Sequence, residues 1–130
     1  MSVFVDTSAV YALLDASDAN HERAVLATQH LLGEELVTHS YVVVELVSLA
    51  RRRLGAAGAV RLIDEVLPAI EVTDVDASLR SRALAAFRAA TDSAVSLVDR
   101  TSFEFMRQRG IRRAWTMDSD FATEGFEVEP

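Results

Sequence analysis

With 130 residues, half of them hydrophobic, the chain has the material for one domain with a sizeable core, expected to span 1–130. Its formal charge of -7 argues against a general nucleic-acid-coating protein, which would be basic, and no apolar run reaches the roughly 18 residues of a membrane span. Cysteine is absent, so disulfides and thiolate metal sites are excluded and a reducing cytoplasm is the expected setting; Asp6 interrupts the amino-terminal apolar run too early for a secretory signal.

In chain order, residues 3–5 read as a short buried strand, and Thr7-Ser8 can cap a helix through Leu14. Asp18 is placed to cap a second helix whose apolar side is Ala24, Val25, Ala27, Leu31 and Leu32, stopped by Gly33. A strand follows at 36–38, and Ser40 opens a helix through Leu54 that Gly55 ends. The run Val42-Val43-Val44 is compatible with a strand, but Leu46, Leu49, Ala50 and Leu54 keep helical spacing. A further helix covers 59–67 and stops at Pro68, a third strand covers 70–72, and helices cover 77–90 and 96–109, the last closed by Gly110. Strands at 113–116 and 126–128 complete the pattern. Strands alternating with helices imply right-handed crossovers, hence an α/β chain folded as a three-layer α/β/α sandwich around a mostly parallel sheet of about five strands.

Four carboxylates carry the chemistry: Asp6, Glu45, Asp99 and Asp118. Asp6 and Asp118 each close a strand, and acids there face the crevice in which open α/β sheets bind ligands. Glu45 shares a helix face with Tyr41, Ser48 and Arg52. Asp99 shares one with Phe103 and Met106, which desolvates it, and a cation would remove that cost. Each acid also has a plain structural reading. Asp6 can cap the helix after it, Glu45 can pair with a neighbouring arginine, Ser96-Leu97-Val98-Asp99 fits a capping box, and Asp118-Ser119-Asp120 reads as a turn. Their joint placement favours one pocket that needs divalent cations, and with it phosphodiester chemistry. The net negative charge does not exclude such an enzyme, because bound Mg²⁺ or Mn²⁺ reverses the local field.

Lysine is absent, so arginines must make any side-chain cation contact to a phosphate. Arg52 is the first candidate, then Arg51 and Arg100, although the run Arg51-Arg52-Arg53 also fits a solvated helix end. The missing lysine argues against a receiver domain, and Ser8 at the third position of Asp6-Thr7-Ser8 against a dehalogenase-type phosphatase. His21, His30 and His39 form no His-Glu-x-x-His pattern and read as structural, Trp115 reads as core, and Tyr11, Leu13 and Leu14 as core or as a partner surface.

Val5-Asp6-Thr7-Ser8, Glu45, Ser96-Leu97-Val98-Asp99 and Thr116-Met117-Asp118-Ser119-Asp120-Phe121 together resemble the PIN domain, and more closely the VapC-type toxins of bacterial toxin–antitoxin pairs. The resemblance implies a metal-dependent endoribonuclease that acts on structured RNA (transfer or ribosomal), a homodimer, and inhibition by a cognate VapB-type antitoxin encoded alongside. It implies Asp6, Glu45, Asp99 and Asp118 as the acidic quartet that holds one or two Mg²⁺ or Mn²⁺ ions. Asp6 and Asp118 would be the most direct ligands, and Glu45 would hold a second ion or orient water. Thr7 or Ser8, Thr116 and Asp120 would be supporting residues. A non-catalytic interaction module of the same fold and a nuclease acting on DNA are the competing expectations.

Overall fold

A computed structural model describes residues 1–129. The chain runs β1 (Ser2–Val5), α1 (Thr7–Leu14), α2 (His21–His30), β2 (Glu35–His39), α3 (Ser40–Arg61), β3 (Glu71–Thr73), α4 (Ala77–Ala89), α5 (Leu97–Arg109), β4 (Arg113–Trp115), α6 (Asp120–Thr123) and β5 (Glu127–Glu129). All strand pairings are parallel, and the sheet order is β3-β2-β1-β4-β5. The expected three-layer α/β/α architecture is present. Alternation along β1 creates its two cores. Val3 and Val5 point to the side covered by α1, α2 and α3, while Phe4 points to the side holding Phe103, Phe105, Met106 and Phe121.

Three local expectations need adjusting. Asp18 does not cap α2; its carboxylate accepts the Asn20 N–H at 2.8 Å, forming a turn that delays the helix to His21. The buried side of α2 is Ala24 and Ala27, followed by Leu31, whereas Val25 and Leu32 face solvent. The break expected at Gly55 is present, with φ 78° and ψ -176°, but the second helix resumes directly after it instead of at 59. Only glycine tolerates this backbone, so the rod breaks there and resumes. It then ends in a π-helical turn (Leu62–Val66) and a 3₁₀ turn (Leu67–Ala69) containing Pro68. Elsewhere the pattern holds. Val42 is buried and Val44 is 65% exposed, so they lie on different faces, as in a helix and not as in a strand.

The sheet order places the ligand crevice. From β1 the chain moves outward one way to β2 and β3, then returns to the other flank of β1 as β4 and β5. The strand order therefore reverses between β1 and β4, and their carboxyl ends open into the crevice typical of such folds. Asp6 follows β1 and Thr116 follows β4.

Candidate active site

Asp6 occupies the residue before α1, and its carbonyl accepts the Ala9 N–H at 3.2 Å, but its side chain makes no capping bond. The capping explanation is thereby removed for the carboxylate. Instead Asp6 Oδ2 accepts two hydroxyls, Ser8 Oγ at 2.7 Å and Thr116 Oγ1 at 2.7 Å. Those oxygens in turn accept main-chain amides of the β4–α6 turn: Met117 N–H donates to Ser8 Oγ at 2.9 Å, and Asp118 N–H to Thr116 Oγ1 at 3.0 Å. Both hydroxyl protons point at Asp6, so the two oxygens, 3.1 Å apart, touch without a bond between them. The result is a clamp that fixes the turns after β1 and β4 to one buried carboxylate. Burial pushes the Asp6 carboxyl above the usual carboxylate range, the Thr116 and Ser8 hydroxyls draw it back, and the Asp118 and Glu45 charges push it up again. Thr7 does not share this role; its hydroxyl is buried without a protein partner, so Ser8 is the supporting residue of the pair.

In front of the clamp, Asp99, Asp118 and Asp120 each bring one carboxylate oxygen within 4.8 Å of the others. Asp99 reaches there from the first turn of α5. Ser96 Oγ accepts the Asp99 N–H at 3.1 Å, one half of the capping box, but no reciprocal bond from the Asp99 carboxylate forms among the described residues. Asp118 Oδ1 accepts the Asp120 N–H at 2.9 Å, so the expected turn exists and is what brings both acids to the same side. Asp120 is thus a full member of the cluster, while Asp6 lies outside this tight group. The Asp99 carboxyl is pushed up to about 8, first by burial, then by the charges of Asp6 and Asp118, by a hydrogen bond with Asp118, and by Glu45. Asp120 is also raised, by desolvation and the Asp118 charge, with Arg100 pulling the other way. Glu45 sits on an exposed edge of α3 at the rim.

These observations test whether a cation fits. The donors are hard carboxylate oxygens from three side chains, and burial together with the charges of Asp6 and Asp118 raises the Asp99 carboxyl. That donor set suits Mg²⁺ or Mn²⁺. The arginines stand apart. Arg100 Nη1 pairs with Glu124 at 3.4 Å and Nη2 reaches Ser93 Oγ at 3.4 Å, so its guanidinium is already engaged beside the cluster. Arg51 and Arg52 are exposed and unpaired among the described residues. Tyr11 is core, with Leu13, Leu14 and Trp115 in the same cluster.

The PIN domain model matches residues 3–126. The chain is 36% identical to the 23S rRNA-specific endonuclease VapC20 of Mycobacterium tuberculosis, covering 98% of each protein. Its fold superposes on the crystal structure of that sarcin-ricin loop cleaving toxin with a TM-score of 0.85 and 34% identity, over 98% of this chain and 99% of that one. The fold is also similar to FitAcB from Neisseria gonorrhoeae, at TM-score 0.72 and 18% identity over 100% of this chain and 97% of that one. DNA-bound VapBC from Salmonella typhimurium superposes at TM-score 0.68 and 19% identity, covering 99% of this chain and 98% of that one.

Proposed function

This chain belongs to the PIN-domain family, and we propose that it is a Mg²⁺- or Mn²⁺-dependent endoribonuclease, the toxin of a toxin–antitoxin pair that cleaves a structured loop of ribosomal RNA. The observation that carries the reading is the convergence of Asp99, Asp118 and Asp120 on one point beside the clamped Asp6. A cation held there supplies Lewis acidity and charge neutralisation for phosphodiester hydrolysis. The protein's own contributions follow from the geometry. Asp99, Asp118 and Asp120 hold the cation. Asp6 keeps Thr116 and Ser8 rigid and so fixes the turn that carries Asp118 and Asp120. Glu45, on the rim, orients or deprotonates the attacking water. Arg51 and Arg52, exposed and unpaired among the described residues on the helix that carries Glu45, are the candidates to meet RNA phosphate.

The ribosomal substrate is proposed from the likeness to a relative described as 23S rRNA-specific. A VapB-type antitoxin and a homodimer are proposed from the same family membership. Among the described residues no helix is long and apolar enough to cross a membrane. The test is cleavage of 23S ribosomal RNA and of a matched DNA strand by purified, antitoxin-free protein with Mn²⁺, against EDTA and Asp6→Asn. Discrete RNA fragments that require both the metal and Asp6 support the reading. Equal cutting of DNA overturns the substrate, and no cutting above Asp6→Asn leaves a non-catalytic interaction module.

A further inference from the structure

His39 ends β2, precedes the first residue of α3, and has no exposed surface. Aromatic rings enclose it: Phe4 at 5.7 Å, Phe105 at 5.6 Å and Tyr41 at 6.0 Å between centroids. An imidazole so buried needs both nitrogens paired, and both are. Val42 N–H lies 3.4 Å from Nδ1. An amide only donates, so Nδ1 is the bare nitrogen and Nε2 carries the proton. Nε2–H donates to Ser102 Oγ at 2.9 Å, and the Ser102 hydroxyl donates onward to the Val98 carbonyl at 3.0 Å. The donors therefore run in one direction, from the first turn of α3 to the first turn of α5. No other neutral side chain offers an acceptor and a donor on separate corners of one rigid ring.

The two ends of this chain matter. α3 carries Glu45 three residues beyond Val42, and α5 carries Asp99 immediately after Val98. The two helices pack against each other. We infer that His39 is a positioning residue for the acidic site: through Val42 and Ser102 its neutral ring fixes the helix bearing Glu45 against the helix bearing Asp99. The inference rests on the nuclease reading above and adds to it a residue that touches neither metal nor substrate.

The test cuts each limb in the full-length protein. Ser102→Ala removes the shorter bond. His39→Asn keeps an acceptor suited to capping Val42 but cannot reach Ser102. Gly55→Ala serves as a control that strains the chain away from this network. Free Mn²⁺ followed by electron paramagnetic resonance gives affinity, RNA cleavage gives kcat and KM, and imidazole ¹⁵N shifts give the tautomer. Both network variants should bind Mn²⁺ about tenfold more weakly, with kcat lowered and KM little changed, while Gly55→Ala binds as wild type. The wild-type ring should show Nε2–H. Wild-type Mn²⁺ affinity in both Ser102→Ala and His39→Asn, or a proton on Nδ1, overturns the positioning role alone. A wild type that binds no Mn²⁺ and cuts no RNA overturns the nuclease reading and this inference with it.

Discussion

Replacing Asp99 with asparagine should stabilise the metal-free protein while abolishing its metal response. The carboxyl is pushed up to about 8 from 3.8. For an acid this means that between those two values the folded chain binds more protons than the unfolded one, so stability falls as pH rises through that window. At about pH 7 the gap is roughly three pH units, and at about 1.4 kcal/mol per unit the ceiling is about 4 kcal/mol. The amide stays partly desolvated and offers Asp118 a weaker N–H donor in place of the carboxyl O–H, so we expect a net gain of about 1–2 kcal/mol, or about 3–8 °C in melting temperature. Thermal unfolding followed by circular dichroism in EDTA measures it at about pH 7.5 and again at about pH 4.5, where the advantage should shrink to about a quarter because the carboxyl of the unfolded chain is then close to its own ordinary value and gains little by ionising. Mn²⁺ should raise the wild-type midpoint and leave that of Asp99→Asn where it was. A variant that melts at or below wild type in EDTA at neutral pH would refute the argument that mutual repulsion and burial load this site.

Three further outcomes are expected. Thr116→Val keeps the shape but strips a donor from Asp6 and the acceptor from Asp118 N–H; we expect a loss of about 1–3 kcal/mol in urea unfolding and a 10- to 100-fold (order-of-magnitude) drop in RNA cleavage. Gly55→Ala meets no neighbour within 4 Å, so its cost is backbone strain alone; urea unfolding should show a loss of about 1–3 kcal/mol, with cleavage per folded molecule unchanged. His39 is lowered by burial from 6.5 to about 4. A base held neutral in the fold binds fewer protons there than in the unfolded chain, so stability is lost as pH falls through that window, by about 3 kcal/mol in all. His39→Asn should flatten this acid limb in denaturant titrations.

The helix-strand alternation and both strand-end acids were legible because each is a local signal. Asp6 and Asp118 follow runs of buried strand residues, and Gly55 announces a break by having no side chain. The orientation of α2 was not legible, since Val25 and Leu32 fit the same apolar stripe as Ala24 and Ala27, and only the width of the neighbouring α1 and α3 decides which side is covered. The rank of Asp120 depended on a turn: an Asp-x-Asp spacing puts two side chains on one side of a strand but on opposite sides of a helix, and only the Asp118–Asp120 bond decides that they meet here. His39 needed a partner 63 positions away, and no spacing rule on one chain reveals Ser102.

The clamp at Asp6 joins residues 110 positions apart, and β4 lies beside β1 in the middle of the sheet. A nascent chain emerging from the ribosome therefore holds Asp6 and Glu45 long before it holds anything to bind them to. Until Thr116 and the turn after it have left the exit tunnel and docked, the cluster is missing two of its three carboxylates. The order of synthesis thus leaves the acidic cluster unassembled until β4 and the turn after it have taken their places beside β1.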